Sequence, residues 1–315
     1  MSPSAVSESP NNRVAIIGGS GFIGMNLARH LSDKGYLVTI VSRSRPADGA
    51  WSFVEWDGRT LGDWTGAIDG AHAVVNLAGR TVDCIKTPLH CDQILRSRVE
   101  STRVLGDAIN AAKIKPSVWV QMSTAHIYGD SELICDEQAA FGYGLAPTVG
   151  IAWECAHNER CPDQVRSVIL RTTFVLGNSG AALKKLKLVT RLGLGGTIST
   201  GNQGMSWIHE LDMSRIIERA IADESMAGAY IASSPNPVSN RSFMRSLRKA
   251  CKMPIGLPAA AWMIKIGAKF ILRTDPDLAI YGRYCVPQRL IDEGFEFTHP
   301  DLDAALSDLC SGLTS

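Results

Sequence analysis

The 315-residue sequence predicts an α/β fold, in which a doubly wound parallel sheet is followed by a small C-terminal α/β lobe. Short apolar runs alternate with amphipathic helical segments over most of the chain. Each predicted strand ends in small or polar residues, as is typical of strands whose carboxyl ends line a ligand crevice. The composition changes from Pro235 onward, where prolines stand at 235, 237, 254 and 258. These three observations indicate a Rossmann-type sheet and a separate lobe that closes over a substrate.

A glycine turn follows the first predicted strand. Residues 14–17 are apolar, Gly18, Gly21 and Gly24 follow at intervals of three, and residues 25–34 have helical apolar spacing. In this context the glycines predict a dinucleotide site, because they permit a tight turn, an open backbone at the pyrophosphate and close helix–strand packing. Free N–H groups at the helix N-terminus would hold the phosphates. An ordinary glycine-rich turn without a ligand is the alternative. The cofactor contacts predicted here are Gly18, Gly19, Ser20, Gly21, Phe22, Ile23 and Gly24.

The end of the second predicted strand indicates which dinucleotide binds. Residues 36–42 form this strand, and Arg43 and Arg45 follow it. An acid at this place would accept the ribose hydroxyls of NAD, whereas an arginine suits a 2′-phosphate. Since no acid lies in the first few positions after the strand, the sequence favours NADP(H), with Ser42 and Arg43 as contacts. In the alternative interpretation both arginines are merely solvated.

The later strands are predicted from their apolar runs. They cover residues 53–56, 73–77, 118–122, 167–172 and 229–232. A loop over residues 80–90 is expected to cover the site, and a long helix is expected over residues 91–112. Because ligands of doubly wound sheets bind at the carboxyl ends of the strands, further cofactor contacts are predicted at Asn76, Leu77, Ala78, Gly79, Met122, Ser123 and Thr172.

The second half of the chain is less regular. We expect a loop at residues 174–177, an amphipathic helix at 181–192 and a short strand at 207–209. Asp212 is a candidate N-cap of a helix that ends at Ala222. A further amphipathic segment covers residues 259–272. The predicted domains are a disordered tail (1–12), an NADP-binding domain (13–234, of which 181–210 contribute to the substrate lobe) and a small closing domain (235–315).

The composition excludes several classes of protein. The chain has 32 Lys and Arg against 31 Asp and Glu, which argues against a nucleic-acid partner. No run of eighteen apolar residues exists, so no membrane partner is expected. The eight irregularly spaced cysteines form no CxxC pair, so neither zinc nor a disulfide framework is expected. The N-terminus lacks the apolar core of a signal peptide, and we therefore expect a cytoplasmic protein. From the cysteine spacing we expect no bound metal.

Several segments, in order, resemble one known family. The chain is similar to the atypical extended short-chain dehydrogenases/reductases, and within them to the epimerase-like family of the NAD-dependent epimerase/dehydratase type with a small C-terminal domain of unknown function. The resemblance covers nearly the whole chain after the tail and implies a Rossmann domain, NADP and a C-terminal substrate lobe. Its pieces are residues 18–24, 76–79, 123–129, 153–154, 170–172, 192–196, 207–213 and 294–297 before Pro300.

The catalytic residues are harder to assign than the cofactor site. The superfamily uses a Ser or Thr with a Tyr and a Lys four residues later, but here Ala146 and Gly150 stand at the Tyr and Lys positions. Ser123 fits the first role by its place after the fifth strand. The candidate substitutes for the proton donor are Tyr128, Tyr143 and His126, although each could instead be a packing aromatic, a surface turn residue or a loop histidine.

The sequence therefore supports an NADP(H)-dependent oxidoreductase or epimerase-like enzyme that acts on a small molecule and lacks the usual Tyr–Lys pair. An NADP(H)-binding sensor without catalysis is the alternative, and a structural partner in cell division has no support in the charge pattern. A homodimer through residues 91–112 and the segment around Glu154 is possible by analogy with superfamily relatives.

Overall fold

A seven-stranded parallel sheet forms the centre of the molecule. The computed structural model describes residues 12–47, 49–260 and 275–311. The strands are β1 (Arg13–Ile17), β2 (Leu37–Ser42), β3 (Ser52–Glu55), β4 (Ala73–Asn76), β5 (Val118–Thr124), β7 (Arg166–Thr172) and β11 (Gly228–Ala232). Their order is β11-β7-β5-β4-β1-β2-β3, which reverses direction between β1 and β4. This is the switch point of a Rossmann-type sheet, and it confirms the predicted fold class.

Helices cover both faces of this sheet. They are α1 (Phe22–Asp33), α2 (Pro88–Ala111), α3 (Leu145–Asn158) and α5 (Glu210–Ala222). On one face α1 and α5 bury a cluster that includes Leu27, Ile216 and Tyr230, and on the other face α2 buries Leu105 and Ile109. The strands are nearly continuous Val and Ile runs because a parallel sheet is apolar on both faces.

Short elements build the smaller lobe. These are β6 (Ile134–Cys135), β8 (Phe174–Leu176), α4 (Ala181–Val189), β9 (Gly204–Met205), β10 (Trp207–His209), β12 (Val238–Ser239), α6 (Asn240–Ala250), α7 (Asp277–Ile280), β13 (Tyr284–Cys285), α8 (Gln288–Asp292) and α9 (Leu302–Ser311). Its own core packs Trp207, Phe243 and Leu306. The predicted amphipathic segment 259–272 and the predicted tail lie outside the described residues, apart from Ala259, Ala260 and Asn12.

Several boundaries differ from the sequence prediction. The predicted loop at 174–177 is a strand, β8, which pairs in parallel with β10. Helix α4 ends at Val189, and a single wide turn (Thr190–Leu194) follows in which Gly193 has φ of 77°. Helix α2 begins at Pro88, because Thr87 caps its N-terminus by accepting the N–H of His90.

The N-cap of α5 is not the predicted Asp212. His209 occupies this position, and its Nδ1 accepts the N–H of Leu211 at 3.1 Å. Asp212 lies inside the first turn, where it is 1% exposed. Its two carboxylate oxygens accept the backbone N–H groups of Thr298 and His299, each at 2.8 Å. Asp212 therefore joins α5 to the segment before α9, since both acceptor oxygens are used there.

Candidate functional site

The glycine turn at the end of β1 has the geometry that a dinucleotide needs. Gly18 has φ of +73°, and a Cβ placed on it would lie 2.8 Å from backbone atoms of Ala78. A Cβ on Gly24 would lie 2.4 Å from the carbonyl oxygen of Gly19. Two of the three glycines are therefore required by the turn and by the packing of α1 against β1. The side chains of Phe22 and Ile23 lie half-buried in the first turn of α1.

No contact among the described residues requires a glycine at position 21. A Cβ on Gly21 would meet nothing closer than the carbonyl oxygen of Gly18 at 3.9 Å, and its φ is −81°. Gly21 and its neighbour Ser20 are both exposed at the N-terminus of α1, which has no side-chain cap. The uncapped N–H groups and the absent side chain together leave a cradle that fits a pyrophosphate.

The end of β2 carries a cation, Arg43, that pairs with no residue in the part of the chain that the structure describes. Ser42 is buried and donates to the carbonyl of Ser44 at 2.9 Å. Arg43 is exposed and forms no ion pair or hydrogen bond with any described residue. The guanidinium of Arg45 instead packs over the ring of Phe53, 5.0 Å from its centroid. Of the two arginines, Arg43 is therefore the one free to meet a 2′-phosphate.

Asn76 organises the end of β4 from within the protein. It is fully buried, and its amide donates to Thr102 Oγ1 at 3.1 Å and to Gln121 Oε1 at 2.9 Å. Its carbonyl oxygen accepts the N–H of Ala78 at 3.0 Å. Because the residue is fully buried and all three bonds are internal, the Asn76 side chain shapes the crevice from within the protein. The backbone of Leu77 is likewise bound, to the carbonyl of Ile17 at 2.8 Å.

A buried arginine that the sequence analysis missed lies beside Gly79. A Cβ on Gly79 would lie 3.3 Å from Cζ of Arg98. Burial lowers the pKa of Arg98 to about 10, and no carboxylate of the described residues forms an ion pair with it. Its guanidinium donates to the carbonyls of Arg80 and Ile94 and stacks on Trp153, 4.9 Å from a ring centroid. No sequence signal separates this arginine from the others on α2.

The ends of β5 and β7 meet at the centre of the crevice. Thr172 lies opposite Thr124 in the sheet register, and its hydroxyl contacts the sulfur of Met122. Met122 is 8% exposed and Thr172 is half-buried. Both predicted contacts therefore lie at the carboxyl edge, where a doubly wound sheet binds ligands.

The hydroxyl of Ser123 is held by a buried ion pair. Ser123 donates to Glu154 Oε1 at 2.6 Å. Arg171 grips the same carboxylate in a two-pronged pair, with Nε 3.0 Å from Oε1 and Nη2 2.8 Å from Oε2. All three residues are less than 10% exposed. The Ser123 proton is thus used inside the protein, and the oxygen can only accept a bond from a ligand.

Tyr128 belongs to the same network. Arg171 Nη1 donates to the Tyr128 hydroxyl at 2.9 Å, and the tyrosine is 3% exposed. Burial raises the pKa of Tyr128, against the opposing effect of Arg171. A buried phenol with a raised pKa is a poor exchanger of protons near neutrality. Ser123 and Tyr128 therefore lie in one hydrogen-bond network, in which Glu154 and Arg171 connect them.

Tyr143 lies apart from these residues. Its side chain is 97% exposed on the turn between Gly142 and Gly144. The turn itself is fixed, because the N–H of Gly142 donates to the carbonyl of Ile127 at 2.9 Å. The structure therefore does not join Tyr143 to Ser123 and Tyr128, since its ring points into solvent.

Thr124 carries a more exposed hydroxyl next to Ser123. It ends β5, its side chain is partly exposed, and its Oγ1 accepts the N–H of His126 at 3.2 Å. It donates to no described residue, so its proton remains free. A Cβ on Gly150 would lie 3.3 Å from the Thr124 methyl group and 3.2 Å from Ile127. The position at which the superfamily pattern would place its lysine thus lies against Thr124.

A second cluster of titratable groups lies at the junction of the lobes. The rings of His209 and His299 stack with centroids 3.9 Å apart, and His209 Nε2 lies 3.2 Å from Asp308 Oδ2. Three such side chains could in principle hold a metal ion. However, His209 Nδ1 accepts the N–H of Leu211, so Nε2 carries the proton in the neutral ring. A protonated Nε2 has no lone pair for a metal.

Two family models match the chain. The NAD dependent epimerase/dehydratase family matches residues 14–231. A domain of unknown function, DUF1731, matches residues 259–309. Together they span both the sheet and the smaller lobe. None of the helices among the described residues has both the length and the apolar composition that crossing a bilayer requires.

Relatives match over nearly their whole length. Human "Epimerase family protein SDR39U1" is 31% identical over 308 residues, covering 94% of this chain and 99% of that protein. "Epimerase family protein YfhF" of Bacillus subtilis is 29% identical, covering 94% and 97%. A crystal structure of human SDR39U1 (isoform 2) with NADPH has a TM-score of 0.85 at 29% identity, and covers 96% of this chain and 100% of that chain.

Proposed function

The chain belongs to the NAD dependent epimerase/dehydratase family, and from that premise we propose that it is an NADP(H)-dependent oxidoreductase or epimerase-like enzyme acting on a small molecule. The observation that carries the proposal is Gly21, whose missing side chain serves no purpose inside the protein. The bound cofactor would supply or accept a hydride. The protein supplies the cradle, the orientation and the proton.

The residues proposed to hold the cofactor lie along the strand ends. The N-terminus of α1 from Gly18 to Gly24 would take the pyrophosphate, and Arg43 would take the 2′-phosphate. Arg98 would face the crevice beside Gly79, where a buried cation without a carboxylate suits a phosphate or ribose. NADPH in the related human structure supports this choice of cofactor.

We assign the orientation of the substrate to two neighbouring hydroxyls with opposite roles. Thr124 retains its proton and would donate it to a substrate oxygen or nitrogen. Ser123 gives its proton to Glu154 and would accept from a substrate donor. Glu154 and Arg171 act as positioning residues, because they fix the direction of the Ser123 hydroxyl. Tyr128 supports this pair from the side, and Tyr143 would contribute only after movement of its turn.

The missing Tyr–Lys pair limits the reactions that the site can catalyse. Ala146 and Gly150 cannot donate a proton, and helix α3 brings no lysine to the site. The chain is therefore better suited to reduce a double bond or an imine, where water or Thr124 can supply the proton, than to exchange alcohol and ketone. A steady-state assay of NADPH consumption across carbonyl, enone and imine substrates tests this. Oxidation of NADPH by enones or imines is expected. If no substrate class causes NADPH to be consumed, the proposed reaction is wrong.

One observation favours a second candidate function, a cofactor sensor without turnover. The Ser123 hydroxyl donates its proton to Glu154, and Tyr128, which accepts a bond from Arg171, is buried with a raised pKa, so neither readily exchanges a proton near neutrality. If NADPH binds tightly but is never consumed, and Thr124→Val leaves binding unchanged, the sensor is favoured. If Thr124→Val abolishes a measured turnover while binding persists, the enzyme is favoured.

The proposed homodimer stays a prediction. The exposed side of α2 is joined to the residues just after α3 within one chain by the ion pairs Arg103–Glu159 and Arg160–Asp107. Sedimentation of the wild type and of an Arg103→Glu variant would test whether this face also joins two chains. If the Arg103→Glu variant still forms a dimer, the interface lies elsewhere.

A further inference from the structure

Large aliphatic side chains are exposed together on one side of the smaller lobe. Leu188 lies near the end of α4, Leu192 and Leu194 lie in the wide turn that follows it, and Ile255 and Leu257 lie in the segment after α6. Each of these residues is between 52% and 66% exposed. An exposed apolar patch with a polar rim is typical of a contact site for a protein or a membrane. We call these five residues the aliphatic face.

Backbone contacts hold the two segments of the aliphatic face together. The N–H of Leu257 donates to the carbonyl of Gly193 at 2.8 Å, and Gly193 directly follows Leu192 in the chain. A Cβ on Gly196 would clash with the carbonyl of Leu257. Leu188 lies four positions before Leu192, and residues four apart on a helix lie on one side of it. The exposed side chains therefore belong to one surface.

Three cations that pair with no described residue border the aliphatic face. Lys184 lies on α4, one turn before the first leucine of the face. Arg191 lies in the wide turn itself, and Lys252 follows the end of α6. All three residues are exposed, and their side chains form neither an ion pair nor a hydrogen bond with a described residue. Their charges are therefore directed to solvent or to an anionic partner.

The segments that build this surface contain no acidic residue. Residues 181–209 and 233–274 contain twelve Lys and Arg and no Asp or Glu. Acids from other segments pair with two of these cations: Asp83 lies 2.6 Å from Lys185 Nζ, and Asp303 lies 2.7 Å from Lys249 Nζ. The whole chain has 32 Lys and Arg against 31 Asp and Glu. Positive charge is therefore concentrated in this part of the chain and balanced elsewhere.

These charges favour one kind of occupant for the aliphatic face. A second copy of the chain would bring the same cations against each other in a symmetric contact. Residues 261–274 of the chain itself contain Lys265, Lys269 and Arg273 and no carboxylate, so they would add positive charge to a positive rim. The headgroup region of an anionic bilayer is complementary to both features, because it offers phosphates to the cations and an apolar interior to the aliphatic side chains.

We propose that the aliphatic face binds the surface of a membrane that contains anionic phospholipid. The aliphatic side chains would enter the boundary between headgroups and acyl chains, and Lys184, Arg191 and Lys252 would contact lipid phosphates. The sequence-based expectation of no membrane partner rested on the absence of a spanning run, which contact at the surface does not require. The proposal is independent of the proposed enzyme function, since none of these residues belongs to the cofactor or substrate site.

The experiment measures cosedimentation of the full chain with lipid vesicles. Phosphatidylcholine vesicles with and without phosphatidylglycerol are compared at low and at high salt. One double variant, Leu192→Ser with Leu194→Ser, removes the aliphatic groups of the wide turn. The other, Lys184→Gln with Arg191→Gln, removes two of the bordering charges.

Matched controls come from the opposite edge of the sheet. Leu37→Ser changes a leucine that is 62% exposed at the start of β2. Arg59→Gln changes an arginine after β3 with a side chain that is 69% exposed. Thermal unfolding and titration with NADPH confirm that every variant folds. If the leucine variant does not fold, Ile255→Ser with Leu257→Ser removes the other half of the aliphatic face.

Wild type is expected to bind vesicles that contain phosphatidylglycerol, and to bind them more weakly at high salt because the charges are then screened. The leucine variant should bind at least about tenfold more weakly, since it loses the groups that enter the bilayer. The cation variant should bind about 25-fold more weakly, because each cation near an anionic surface contributes about fivefold. Both controls should bind as wild type does.

The proposal is overturned if wild type binds neither kind of vesicle, if it binds both kinds equally, or if the leucine variant binds as well as Leu37→Ser. Two further results would also overturn it. Self-association without lipid that the leucine variant loses would assign the face to a second copy. Binding to poly-glutamate but not to vesicles would assign it to an acidic protein. Failure to bind or consume NADPH would count against the proposed function alone.

Discussion

Glu154 and Arg171 form a two-pronged ion pair that is buried between α3 and β7, with its two nitrogen–oxygen contacts at 2.8 and 3.0 Å. Neither partner can be removed without leaving a charge in the interior. The pair also fixes the hydroxyls of Ser123 and Tyr128, so it links the stability of the sheet to the geometry of the site.

Removal of one partner of this pair should strongly destabilise the protein. Glu154→Leu or Arg171→Met is expected to lower the free energy of unfolding by about 3–5 kcal/mol, because an unpaired buried charge remains. The double variant should be more stable than either single variant. Urea unfolding measures all three. Arg103→Met is the control, since its exposed pair with Glu159 should contribute about 1 kcal/mol or less. Additive losses in the double variant would contradict this account.

Gly21 and Gly24 should respond differently to the same substitution. Gly24→Ala forces a Cβ to within 2.4 Å of the Gly19 backbone and should destabilise the fold by about 1–3 kcal/mol. Gly21→Ala should cost only about 1 kcal/mol of stability, because alanine is a poorer N-cap than glycine, yet weaken NADPH about tenfold or more, or about 1.4 kcal/mol. Fluorescence titration with NADPH and thermal unfolding separate the two effects.

The control for these glycines is Gly66→Ala, where a new Cβ would meet nothing within 4 Å. Neither stability nor NADPH affinity should change. If Gly21→Ala binds NADPH as tightly as Gly66→Ala, no pyrophosphate approaches the backbone at Gly21.

Arg43 should determine the preference for the phosphorylated cofactor. Arg43→Gln removes a charge-assisted contact to the 2′-phosphate and should weaken NADPH by about 1.5–3 kcal/mol while leaving NADH unchanged. Arg45→Gln is the neighbouring control, because Arg45 packs on Phe53. Isothermal titration with both dinucleotides measures the difference. An equal loss for NADH and NADPH would show that Arg43 does not read the 2′-phosphate.

His157 should make the fold sensitive to acid. Burial lowers the pKa of His157 from 6.5 to about 4, where its ring packs on Trp119 and bonds to Ser167. As the pH falls from 6.5 toward 4, the unfolded chain binds a proton that the folded chain does not, so stability falls by about 3 kcal/mol. Below the folded pKa this loss ends, since both states are then protonated.

His157→Gln should flatten this pH dependence, because glutamine keeps a bond to Ser167 without titrating. Urea unfolding at pH 7.5 and pH 4.5 compares the two proteins. The variant should lose less stability than wild type between these values. The same slope in both would mean that other groups cause the acid sensitivity.

The local sequence pattern was sufficient to predict the fold class. Apolar runs, glycine spacing and the alternation of strand and helix predicted the parallel sheet and the turn at Gly18 to Gly24, because these depend on residues adjacent in the chain. The buried pair was missed, although it left a signal. Arg171 follows an apolar Val-Ile-Leu run in β7, and a charge inside such a strand needs a partner.

By itself, the sequence predicted a dinucleotide site at the glycine turn and determined that Ala146 and Gly150 stand where the superfamily pattern has Tyr and Lys, since both follow from residue identity at short spacing. Only the tertiary structure decided which hydroxyls remain free. Whether Ser123 or Thr124 keeps its proton depends on Glu154, 31 residues away, and on Arg171, on a neighbouring strand.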